Sequence, residues 1–553
     1  MNTTVRRLFL ITFVILIYSA PVQPQRARNS GKPPAPELRN DSPACHHPVR
    51  TKNPEGQRLF DEGLTLIYAF DYRGAATSFA RAATLDPKMA MAYWGIAYAL
   101  GSDYYYGTAG DSTREREAYE ALKKALRLSS DGPEAERAYV AALSKRYCNC
   151  PNPNRAEQAV AFKDGMRKLA KSYPDDLDAA ALYAQSIMNL SPWALWNPDG
   201  TPWGGTPEIV SVLESVLKRN PRHLGALHYY FHTVEGSPHP ERALPYVNLL
   251  PSLAPSIGHI VHMPAHIYIR TGEYLTAEEA CLKAARIDES RIQTVSKPGM
   301  FAILSYLHDL YFLAAAASMD GHYGSARKAA AELVAQVAPH VEEIPELEAF
   351  LTVEPAVLVR FDRWEEILKL PNPRPKLAVA NAVLSFARGM ALAAIGKVTE
   401  AESERRQLAS ALERTSPQEA FLMSPNSSRE VLEIASSVLA AKLLAASNQR
   451  SEAIAEWRHA VLLQDGLKYA EPPSWFYPVR ESLGAALFLA GQFQEAEQVF
   501  REDLERNPRN PRSLFGLSET LRSQGRSYDA GIVRTRFDAA WKSDSRRLDL
   551  HNF

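Results

Sequence analysis

Gly63, Ala75, Phe79 and Pro87 are spaced as Gly484, Ala496, Phe500 and Pro508 are, more than 400 residues further on. Ala82 adds a small residue to the first set, Leu483 precedes the second, and Ala530 follows Ala496 by 34 residues. A period of about 34 residues that repeats small positions, one aromatic and a closing proline points to stacked pairs of antiparallel helices. The small residues stand where two axes cross closely, and the proline ends the pair. Alternating apolar and polar runs are absent, and alanine-rich segments of 3.6-residue period dominate, so the chain is expected to be all-α.

These are the spacings of a tetratricopeptide repeat, with the first repeat at about Gly56 to Leu85. Ala243 and Ala277 are again 34 apart, each expected on the second helix of a pair. The turns Gly272/Tyr274 and Gly321/Tyr323 precede Ala277 and Ala326, and further repeats gather at longer intervals around Ala401 and Ala453. The expected architecture is a tetratricopeptide-type α-solenoid, a right-handed superhelix of helix hairpins with loop insertions. Residues 191–205 and 463–478 break the period and carry Trp193, Trp196 and Trp203, and Trp475, Phe476 and Tyr477. Tyr104 to Tyr106 form a third aromatic group. The plain reading of such insertions is packing onto the helices; the other is a functional loop, or a wall beside a site.

The N-terminus has Arg6 and Arg7, an apolar run from Leu8 to Ile17, then Ser19 and Ala20, the order of a secretory signal. The run is shorter than the roughly 20 residues of a membrane-spanning helix, and no cysteine follows to accept a lipid. Pro21 disfavours cleavage at Ala20 itself. The expected layout is a signal peptide over 1–20, a proline-rich linker over 21–44, an N-terminal solenoid over 45–370 and a C-terminal solenoid over 371–553. The product is expected to be periplasmic or secreted, with no spanning segment after signal removal. In an oxidising compartment one disulfide, from Cys45 to Cys148 or Cys150, is expected, and Cys148-x-Cys150 as a soft-metal ligand pair is the alternative.

The 63 basic and 63 acidic residues cancel, so the electrostatic footprint of a nucleic-acid binder is missing and no nucleic-acid partner is expected. The arginines between Arg501 and Arg512 read as solvated helix ends. Gly-rich phosphate loops, Gly-x-Ser-x-Gly elbows and a nucleophilic Cys/His pair are absent from the sequence.

Chemistry concentrates in the histidines. His228 and His232 stand 34 residues before His262 and His266. With His259 and Glu235 they give the spacings i, i+4, i+7 and i, i+3, i+7, each one stripe of a helix. Stacked in register, the two first helices would turn these stripes into the concave groove, and the next, from about Leu307, would add His308. The candidate metal-ligand set is therefore His228, His232, Glu235, His259, His262, His266 and His308, not all of which need ligate. Imidazole and carboxylate suit zinc, copper or iron alike. With three protein ligands and a bound water, Glu235 would be the candidate base. The residues between the histidines, Tyr229 and Tyr230, then Met263 and Pro264, exclude the His-Glu-x-x-His zinc-protease helix. Pro264 either kinks its helix or begins one.

The stretch His259-Ile-Val-His-Met-Pro-Ala-His-Ile-Tyr268 resembles the His-x-x-His-Met-Pro-x-His-Ile-aromatic motif of a family of bacterial exported tetratricopeptide repeat proteins. Asp86-Pro-x-x-Ala-Met-Ala-Tyr-Trp-Gly-Ile-Ala and Glu471-Pro-Pro-Ser-Trp-Phe-Tyr-Pro-Val-Arg are similar to theirs too. The resemblance implies a helical repeat fold and a marked histidine motif, and no reaction. Two functions follow from the residues. One is a scaffold that binds a protein or peptide in its groove. The other is a metalloprotein, with or without enzymatic activity, built on the histidine set.

Overall fold

A computed structural model describes residues 43–101, 112–148, 154–294, 300–422, 424–541 and 548–553. The expected signal peptide, most of the linker, Tyr104 to Tyr106 and Cys150 lie outside these residues. Among them the chain is all-α, with two isolated β-bridges and no strand.

Local chemistry dictates the first hairpin. The Asn53 side chain accepts from the Glu55 and Gly56 amides and Pro54 supplies a ready-made first turn, starting helix Pro54–Tyr68. The helix stops in a Schellman motif: the Phe70 amide donates to the Ile67 carbonyl and the Asp71 amide to Leu66. Asp71 then caps helix Tyr72–Leu85 by accepting from Gly74. The Phe79 ring of this second helix lies against Gly63 of the first and Gly95 of helix Ala90–Leu100; a Cβ would approach it to 2.6 and 2.5 Å. Only glycine admits helices this close around one phenylalanine. The same device returns in the C-terminal repeats, where the Phe500 ring would meet a Cβ at Gly484 and Gly516 at 2.6 and 2.2 Å. Ala75, Ala82, Ala496 and Ala530 are all buried, as are Ala401 and Ala453 in helices Val398–Arg414 and Arg450–Asp465. The fold is thus of the tetratricopeptide kind.

Two compact units result. The first holds the described residues up to Trp196, Gly200–Met263 and Arg286–Ser305; the second holds Asn197–Asp199, Pro264–Ala285 and everything from Tyr306. This division does not fall at the expected break near residue 370. Helix Val353–Arg360 and the 3-10 stretch Pro345–Thr352 pack on helix Ala378–Ala394 within the second unit, across that point.

The regular pattern fails in the middle of the chain. Ala243 lies in a 3-10 helix, Pro240–Tyr246, followed by the five-residue helix Leu249–Leu253. Pro240, Pro245 and Pro251 withhold the amides that a full second helix would need. One described helix, Phe301–Asp320, is long and apolar enough to cross a membrane, but 72% of that window is buried inside the protein, as in a core helix.

Cys45 is a free thiol, close to Thr65 Oγ1 at 3.2 Å, while Cys148 is disulfide-bonded. The expected Cys45 bridge to Cys148 or Cys150 is therefore not made; Cys45 is instead set against helix Pro54–Tyr68. The insertion 463–478 packs as the plain reading has it: Trp475 lies 5.5 Å from Phe386, and Tyr311 donates to the Pro473 carbonyl.

Candidate metal centre

Helix Leu224–Val234 begins at His223, whose ring Nδ1 accepts from the Ala226 amide. Its first turn packs against Tyr68, so closely that a Cβ at Gly225 would come within 2.3 Å of that ring. One turn later His228 meets the end of helix Pro54–Tyr68. His228 Nδ1 donates to the Tyr68 carbonyl at 2.5 Å, a group that the helix terminus leaves without a partner in its own ladder. In the neutral ring this places the lone pair on Nε2. His228 Nε2 lies 3.0 Å from His259 Nε2 on helix Gly258–His262. His232 Nδ1 donates to Glu235 Oε1 at 3.0 Å, which again leaves Nε2 as the basic nitrogen.

His228, His232 and His259 thus converge, with one ligand atom from each inside a 4.8 Å sphere of mutual distances. Two nitrogens held tetrahedrally by one ion at roughly 2.0–2.1 Å each would stand about 3.3 Å apart, close to the 3.0 Å hydrogen bond found between His228 and His259. The backbone carbonyl of Tyr68 and the carboxylate of Glu235 act on the far nitrogens of two rings, the outer hydrogen bonding that fixes tautomer and orientation in metal sites.

All three rings are 5% exposed or less. Aromatic rings enclose them: Phe70 at 4.6 Å from His228 and 5.5 Å from His232, Trp193 edge-on to His232 at 5.7 Å, and Phe301 at 6.3 Å from His259. Trp196 fastens the Trp193 segment by donating from Nε1 to the Thr233 carbonyl at 2.7 Å. The tryptophan insertion is therefore a wall of this site. Tyr229, between the two histidines, is fully buried, and burial pushes its hydroxyl well above the ordinary range, so it stays a protonated phenol and not a ligand.

Phe70 has φ 61°, in the left-handed region where a bulky residue is strained by roughly 1 kcal/mol or more. Phe70→Gly would relieve that strain but remove the ring that stacks on the histidines. Phe70→Gly is expected to lose roughly 2–4 kcal/mol in urea unfolding, because truncating a buried phenylalanine costs about 3–5. A variant as stable as wild type would show that the ring contributes nothing to the site.

The structure sorts the expected ligands differently from the 34-residue register. Pro264 begins a new helix, Pro264–Thr271, so His259, His262 and His266 are not on one continuous stripe. His266 belongs to the second unit, where its ring lies 5.7 Å from His308, with Phe312 at 5.0 and 5.8 Å. His262 is fully buried in the first unit. Glu235 lies at the helix end as the cap residue and binds His232. The three histidines and Glu235 are buried; none lines an open groove. Phe70 and the Tyr68 carbonyl are missed by sequence reasoning, since nothing marks a phenylalanine in a turn or a main-chain acceptor.

No family model matches the chain. Over 73 residues it is 38% identical to an uncharacterized protein of Aquifex aeolicus (strain VF5), which covers 13% of this chain and a tenth of that relative's length. The solved structures similar to it include the human IFIT1 dimer with m7Gppp-AAAA and the same dimer with PPP-AAAA. Each is 13% identical over 89% of this chain and 91% of the other, at a TM-score of 0.35. At that score the likeness transfers no ligand to this chain.

Proposed function

We propose that this is an exported helical-repeat protein that holds one transition-metal ion between His228, His232 and His259. The observation that carries the reading is the pairing of convergence with outer support. Three buried imidazoles meet, and two of them have their remote nitrogen tied to a carbonyl or carboxylate. The donor set is all nitrogen, which suits zinc, copper or iron and favours none by itself.

Elemental analysis tests this on full-length protein secreted from its host and purified without a polyhistidine tag. Wild type is expected to carry about one equivalent of metal more than His232→Ala/His259→Ala, since two of the three ligands of this centre are gone in the variant. Equal metal content in both would remove these residues from the assignment.

A protein or peptide ligand bound on exposed helix faces is the second reading, supported by the hairpin architecture itself. Under it the same double variant binds its partner normally, because the altered side chains are buried.

A further inference from the structure

A cavity of about 580 Å³ opens in the first unit beside His47, Asp176, Asp178, Arg222 and His223. Its chemistry differs from that of the three-histidine centre. Asp178 accepts from two donors and has a third group close by. His47 Nδ1 reaches Oδ2 at 2.8 Å, the Tyr68 hydroxyl donates to Oδ1, and His223 Nε2 stands 3.3 Å from that same oxygen. Asp176 caps helix Leu177–Met188 by accepting from the Ala179 amide, and its second oxygen accepts from the Tyr139 hydroxyl at 2.8 Å. Both carboxylates are thus held in place by hydrogen bonds before any ligand arrives, Asp178 from His47 and Tyr68 and Asp176 from Ala179 and Tyr139, while each oxygen keeps a further lone pair.

We propose that His47, Asp176 and Asp178 form a second metal site, for a divalent cation such as Mn(II) or Zn(II), whose remaining positions face the cavity. One ligand atom from each lies within 4.8 Å of the others, and all three residues are partly exposed, so an ion and its waters can enter. His47 Nε2 carries no hydrogen bond among the described residues, although the ring lines the cavity. Two carboxylates match the charge of a dication, and a mixed nitrogen and oxygen set is harder than three imidazoles, so oxygen-preferring ions belong here. Tyr68 and Tyr139 supply the outer hydrogen bonds that metal-bound carboxylates need. With water among its ligands, such an ion would present an activated water to a small molecule in the cavity.

The test is a titration of the full, untagged chain with Mn(II), read by electron paramagnetic resonance, and with Zn(II), read by calorimetry. Wild type is expected to take up an equivalent of Mn(II). In His47→Gln/Asp176→Asn the affinity is expected to fall at least about tenfold, while His232→Ala/His259→Ala keeps it, which separates this site from the other centre. The amide introduced by Asp176→Asn retains a helix-capping oxygen, so that single variant decides the matter where the double variant fails to fold. A simple His47–Asp178 ion pair predicts no uptake by folded wild type. That result, or binding unchanged by both substitutions, overturns the proposal.

Discussion

Stripping the metal-loaded protein with a chelator is expected to lower its stability by about 4 kcal/mol when free metal had stood at a thousand times its dissociation constant. The magnitude follows from mass action alone, because an ion that binds only the folded chain stabilises it by RT ln(1 + [L]/Kd). Residues 228 and 259 come together only in the folded state, so the unfolded chain offers no comparable site. In His232→Ala/His259→Ala the shift due to this centre should vanish, leaving only what an ion beside His47 contributes. Glu235→Gln addresses the outer shell. A neutral amide holds His232 in place but lends its ring less basicity, and a 10–100-fold loss of metal affinity is expected. Unfolding curves with and without chelator, on wild type and both variants, check this. An identical chelator shift in wild type and the double variant would place the ion elsewhere.

The repeats could be read from sequence because their signal is local. Gly63, Ala75, Phe79 and Pro87 fall within one hairpin, and each answers a steric demand of that hairpin: Phe79 fills the crossing that Gly63 leaves open. The histidine site was legible in its members but not in its register. The prolines at 240, 245, 251 and 264 each withdraw an amide, and the segment between the two histidine pairs breaks into short helices. His228 Nε2 meets His259 Nε2, 31 residues on. Other contacts carry no sequence signal at all. His47 and Asp178 lie 131 residues apart, and only the packing of the segment before helix Pro54–Tyr68 beside helix Leu177–Met188 brings them together. Arg512, read as a solvated helix end, is buried against Glu481, since a charge looks like surface until its partner is known.

That partner carries the largest effect expected in the second unit. Glu481 is 1% exposed, accepts from the guanidinium of Arg360 and from Asn510 Nδ2 at 2.8 Å, and forms an ion pair with Arg512, whose Nε lies 2.9 Å away. Glu481→Ala would leave two buried guanidiniums without their anion, and a loss of about 3–5 kcal/mol is expected. Replacing the trio together, as Arg360→Met/Glu481→Leu/Arg512→Met, is expected to recover most of that loss, since no ion then remains to desolvate. The pH dependence gives a second signature. Burial, and after it the charge of Glu481, push the Asp503 carboxyl up to about 6, against hydrogen bonds from Ser513, Asn510 and Asn507. Between the unfolded value near 4 and this folded value the native chain binds more protons than the unfolded one, so stability falls as pH rises through that window and levels off above it. Glu481→Gln removes the neighbouring charge, lowers the Asp503 value and should flatten the slope. Urea unfolding of the four proteins between pH 4 and pH 7 checks both points. A Glu481→Ala variant within about 1 kcal/mol of wild type would mean that water reaches the two arginines and that the pair is not desolvated.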